Sequence, residues 1–148
     1  MEELVRRLLT EQNECVLGWV KRDGAPAATV MSFVLLGDRI ALTALEASAR
    51  VQAIRRHPQV VLVVTGKGSP VGHGRCVSIQ GECEVRSDRA TRDRFFPAFS
   101  RAVLPGSERG AARMADAMNT PENVVLLVTP RKVIPYDAQG ALEAAARA

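Results

Sequence analysis

The residues best suited to chemistry lie in one short stretch, Thr43-Ala44-Leu45-Glu46-Ala47-Ser48-Ala49-Arg50. A strand pattern ends at Thr43 and Ala44. A helical pattern begins a few residues later, with Ser48 and Arg50 in its first turn. A helix N-terminus presents unpaired backbone N–H groups and the positive end of the helix dipole. A serine hydroxyl and a guanidinium added there suit a phosphate monoester. The same residues also read as an ordinary serine-capped helix with an arginine on its surface. Glu46 suits an anion site only if its carboxylate points away.

Other candidates are weaker. His57 and His73 are isolated and have no serine or aspartate partner nearby in sequence. Cys76 and Cys83 are seven residues apart, which is no metal-clip spacing, so no metal site is expected. Cys15, Cys76 and Cys83 fall on strand patterns, where cysteine acts as a small hydrophobe. The loop Gly66–Gly74 is glycine-rich, but no Gly-Lys-Ser/Thr opens a helix there, so it reads as a hairpin loop rather than a phosphate cradle.

Composition removes whole classes. The 148 residues carry 20 Lys+Arg against 16 Asp+Glu, a net charge of +4. That surplus is small, and one Trp and one Tyr leave few stacking groups, so nucleic acid is not an expected partner. The longest apolar runs, such as Val60–Val64 and Val124–Val128, are strand-sized, far short of the ~18 residues of a membrane span. The start Met1-Glu2-Glu3 is acidic and no secretory pattern follows it, so a cytoplasmic protein with reduced thiols is the expectation.

These residues need a scaffold, and hydrophobic periodicity outlines one. Residues 2–12 read as an amphipathic helix with Leu4, Val5, Leu8 and Leu9 on one face. Strands are predicted at Cys15–Val20, Pro26–Leu36 and Arg39–Ala44, joined by turns at Asp23-Gly24 and Gly37-Asp38. A helix from Ser48 to Arg56 stops at Pro58. Strands Gln59–Thr65 and Arg75–Arg86 follow, the latter alternating cleanly with Val77, Ile79, Gly81, Cys83 and Val85 on one face. Ser87 and Asp88 open a helix carrying Phe95, Phe96 and Phe99 that breaks or bends at Pro97. A helix from Ser107 and a strand from Val124 to Thr129, extended to Pro135, complete the core. The tail from 137 to 148 is Ala-rich. The reading is one domain over 1–148, mainly β with short helices. About six hairpin-linked antiparallel strands close into a barrel, which removes exposed edges.

In this order the chain resembles the pyridoxamine 5'-phosphate oxidase-like split-barrel family of flavin-binding proteins. The resemblance spans roughly residues 14–136. It rests on the Asp23-Gly24 turn, Gly37-Asp38, Thr43 followed by Ser48-x-Arg50, Arg56-x-Pro58-x-Val60, and Gln80-Gly81. It implies a six-stranded split β-barrel, a homodimer, and FMN at the subunit interface. By the same resemblance Thr29, Val30, Met31 and Ser32 line the flavin ring. Thr43 and Ala44 approach the ring or ribityl chain, Ser48, Ala49 and Arg50 hold the phosphate, and Gln80 is a further ring contact. An apolar strand with a few polar points suits such a ring. The oxidase itself ends in an Arg- and Trp-containing segment. This chain ends in an Ala-rich stretch, and its only Trp is Trp19, so it resembles the short members instead. The resulting expectation is an FMN-binding, flavin-dependent oxidoreductase acting on a small-molecule substrate or redox partner. The alternatives are a deazaflavin-dependent reductase, with Arg50, Arg55, Arg56 and Lys67 serving a longer anionic tail, or a non-enzymatic FMN or electron-transfer protein. No side chain is assigned as a catalytic acid or base.

Overall fold

The computed structural model describes residues 2–148; Met1 lies outside the described residues. Seven strands form one antiparallel sheet: β1 (Glu14–Val20), β2 (Pro26–Ser32), β3 (Val34–Leu36), β4 (Arg39–Leu45), β5 (Gln59–Thr65), β6 (Arg75–Arg86) and β7 (Asn123–Asp137). Five helices accompany them: α1 (Glu3–Glu11), α2 (Ala49–Arg56), α3 (Arg89–Val103), α4 (Glu108–Met118) and α5 (Gln139–Arg147). The sheet order is β2-β1-β5-β6-β7-β4-β3. Its two ends, β2 and β3, are consecutive in the chain and separated only by Phe33. The sheet therefore curls until one continuous run of residues joins its first and last positions. The expected single strand Pro26–Leu36 and the count of six differ from the observed seven for this reason: the run changes partners at Phe33. Before Phe33 it pairs with β1 and after it with β4. Phe33 is itself buried, and its N–H donates to the Asn13 carbonyl at the seam.

The interior follows from strand alternation. Cys15 and Leu17 of β1, Met31 of β2, Leu42 of β4, Leu62 of β5 and Ile79 of β6 share one core with Val124, Leu126 and Val128 of β7. Val5, Leu8 and Leu9 of α1 belong to the same core, as do Val51 and Ile54 of α2. A second cluster lies outside the sheet, where α3 and α4 cover β3, β4 and the first half of β7. Phe95, Phe96, Phe99 and Ala115 pack there on Ala41, Val125 and Leu127. Burying each of these phenylalanines is worth about 1.5–3 kcal/mol. That gain explains why α3 runs on through Pro97 instead of breaking there. The phenylalanines are thus buried within the chain.

Each of three helix starts has a local cause. Ser48 Oγ accepts from the Val51 N–H, Asp88 from Thr91 and Ser107 from Gly110. One irregularity interrupts the β6–β7 ladder. Gln80 pairs with Lys132 and Gly81 with Pro130, which leaves Arg131 as the extra residue of a β-bulge. Among the described residues, no helix is long and apolar enough to cross a membrane.

Candidate functional site

The barrel has an unzipped seam. β3 and β4 pair from Val34↔Ala41 to Leu36↔Arg39. Continuing that register would set Ser32 opposite Thr43 and Val30 opposite Leu45. Instead β2 turns to β1, while β4 stays on β7. Ser32 and Val30 on one side, and Thr43 and Leu45 on the other, thus flank a slit. β4 ends at Leu45, and α2 starts four residues later, so Ser48, Ala49 and Arg50 stand at the same end of the barrel as the open part of the slit.

The sequence-predicted residues divide between two faces. Met31 pairs with buried Cys15, and Thr29 with buried Leu17, so both point inward. Ala44 also belongs to the core. Val30, Ser32 and Thr43 point outward. Val30 is 58% exposed, and the Thr43 hydroxyl donates to the Val124 carbonyl at 2.8 Å. Four consecutive strand residues cannot all offer side chains to one ligand. Thr29 and Met31 could reach it only through their backbone.

At α2 the geometry favours an anion. Arg50 Nε is buried and has no hydrogen-bond partner. Glu46, the acidic residue that would oppose an anion, is turned aside: Arg55 Nη2 donates to both its carboxylate oxygens at 2.8 Å. Arg55 is thereby engaged. Lys67 lies in the loop between β5 and β6, at the end of the sheet away from α2. Neither is placed to join Arg50 around one anionic tail.

Gln80 stands elsewhere, on the outer sheet surface. The registers set Ala28, Gly18, Val61, Gln80 and Lys132 in one row across five strands, and Val30, Val16, Val63, Ser78 and Ile134 in the next. A groove of ≈ 840 Å³ follows this surface, lined by Gly18, Trp19, Ala28, Val61, Gln80 and Arg131 among others. Of the expected contacts, only Gln80 lines it. Sequence reading missed Gly18, Trp19, Val61 and Arg131. Gly18 carried a usable signal, since a mid-strand glycine marks a close approach. A Cβ there would stand 2.8 Å from Val61 Cγ1.

Two of the three cysteines are buried in the core. Burial pushes the Cys15 and Cys83 thiols up to about 12, with Glu14 and Glu84 adding to the effect.

A curled antiparallel sheet with one unzipped seam and with α1 and α2 packed on its inner core defines a split barrel. The family model for pyridoxamine 5'-phosphate oxidase matches residues 1–136, and the chain belongs to that family. No curated protein matches it. Among solved structures, it resembles the conserved hypothetical protein Rv2991 from Mycobacterium tuberculosis, with a TM-score of 0.79 and 19% identity over 95% of this chain and 88% of that one. An F420 reductase matches with a TM-score of 0.64 and 21% identity over 87% and 94%. A FAD-binding protein from Mesorhizobium loti matches at 0.65 and 18% over 91% and 94%. At these identities the likeness speaks for the fold.

Proposed function

We propose that this protein binds FMN and works as a flavin-dependent oxidoreductase on a small-molecule substrate or redox partner. The observation that carries the reading is Arg50: its Nε is buried and unpaired in the first turn of a helix whose N-terminus and Ser48 hydroxyl also suit a phosphate. A flavin supplies hydride and single-electron transfer when bound. Ser48, Ala49 and Arg50 hold its phosphate, through a hydroxyl, backbone N–H groups and a guanidinium. Val30, Ser32 and Thr43 flank the slit, and Gln80 offers an amide at the neighbouring surface. The chain's part is to bind, orient and exclude water; no side chain need move a proton.

The protein acts as a homodimer in this reading. α3 and α4 cover one part of the sheet exterior, whereas the face bearing Val16, Val30, Val61 and Val63 has no helix over it. A second copy would cover it and wall the slit. The likeness to an F420 reductase supports a deazaflavin as the second reading. Of the further cations that reading needs, Arg55 is engaged, Arg56 stands in the last turn of α2 rather than the first, and Lys67 lies at the other end of the sheet, which favours FMN.

The test is a visible spectrum of the purified protein, followed by titration with FMN and with a deazaflavin. Yellow protein, or saturable quenching of FMN fluorescence, supports the proposal. Colourless protein that takes up neither cofactor overturns it. Tight FMN binding without turnover by NAD(P)H and acceptors would identify a flavin carrier instead.

A further inference from the structure

The Glu46–Arg55 pair is more firmly built than a surface ion pair needs to be. The Glu46 N–H donates to the Glu122 carbonyl at 2.9 Å, and Gln52 Nε2 donates to the Glu46 carbonyl at 2.8 Å. The backbone of Glu46 is thus fixed from both sides, and Arg55 holds its carboxylate. Both side chains are more than two-fifths exposed, so the pair adds little to stability. Its effect is on where charge stands. It cancels an acidic group four residues before Arg50, and it keeps a second guanidinium from an anion at the start of α2. Among the described residues, Arg50 is then the arginine of that first turn without a carboxylate partner.

We propose that the Glu46–Arg55 pair sets the charge selectivity of the phosphate anchor, matching it to one phosphate monoester and against ligands with a second phosphate or an extended polyanionic tail. This rests on the FMN reading above. The site offers one guanidinium, one hydroxyl and the N–H groups of one helix turn, enough for a single dianionic group. A second phosphate would find no free guanidinium beside Arg50, because Arg55 is already held by Glu46.

The experiment is a set of fluorescence titrations with FMN, riboflavin and FAD, using the full chain and the variants Arg55→Gln, Glu46→Gln and the double variant. Comparing FMN with riboflavin within one variant isolates the phosphate and cancels differences in folding. Arg55→Gln should cut the preference for FMN over riboflavin roughly two- to tenfold, the scale of one uncompensated charge near a partly exposed site. The double variant should restore it. Glu46→Gln, which frees Arg55, should narrow the preference for FMN over FAD. Unchanged preferences in all three variants, with Arg50→Ala still weakening FMN, would overturn the selectivity role and leave the FMN reading standing. Equal binding of FMN and riboflavin by the unaltered protein would overturn the phosphate reading and this inference together.

Discussion

Gly81 offers a sharp test of how the barrel is held. It sits on the inner face of β6 beside the bulge, opposite Pro130. A Cβ there would stand 2.6 Å from Val128 Cγ1 and 2.8 Å from the Thr129 carbonyl oxygen. Ordinary carbon contacts lie at about 3.5–4.0 Å, so roughly 1 Å of movement is required. Val128 is fully buried and the second contact is backbone, so neither can swing aside. Gly81→Ala should therefore destabilise by about 1–3 kcal/mol, the usual cost of overpacking. At roughly 2–4 °C per kcal/mol for a chain near this size, thermal unfolding should fall by about 2–12 °C. Gly18→Ala is the control. Its Cβ meets only the Val61 side chain closely, and Val61 is half-buried on the outer surface and can turn away. That variant should keep nearly its full Tm while placing a methyl group in the groove. Calorimetry on both decides the matter. An unchanged Tm for Gly81→Ala, or a larger loss for Gly18→Ala, would refute the packing argument.

Arg50→Ala should weaken FMN binding by about 1.5–3 kcal/mol, the range for hydrogen bonds to charged groups, with riboflavin little affected; isothermal titration reads the difference. Asp88, held down to about 2 by the Thr91 N–H and hydroxyl and by Arg86, caps α3 in its ionised form. Its folded pKa lies below the unfolded one, so its contribution is present above the ordinary carboxylate range and lost as pH falls toward 2. Asp88→Asn should flatten the acid limb of a Tm-against-pH curve. Cys15 and Cys83 are buried and Cys76 is half-buried, so the folded protein should react with a thiol reagent at mildly alkaline pH first at Cys76, as mass mapping would show.

Where alternation was regular, the sequence was a good guide. β5 and β6 fall on the predicted residues because turns bound them and their inner faces are wholly apolar. The change of partner at Phe33 left no such trace, since Val30 to Leu36 reads as one mostly apolar run whichever strand it pairs with. At Pro97 local preference allows a break or a bend, and the break does not occur because Phe95, Phe96 and Phe99 gain more by continuing the helix into the second cluster. At the candidate site, Ser48 and Arg50 were legible from capping chemistry. The engagement of Glu46 by Arg55, nine residues away, was not: it depends on how β4 meets α2. Nor could spacing foretell that Arg131 is the bulged residue, because that follows from the β6–β7 register.

The joining of β2 and β3 has a consequence for association. An open sheet offers two edges to which a foreign strand can add. Here both ends of the sheet order belong to the single run Pro26–Leu36. An insertion or a proline at Phe33 would not loosen one edge alone. Each already has one unpaired side at the seam, and such a change would let the two swing apart together and widen the slit between them. In this protein the two edges of the sheet are held side by side through one buried aromatic residue.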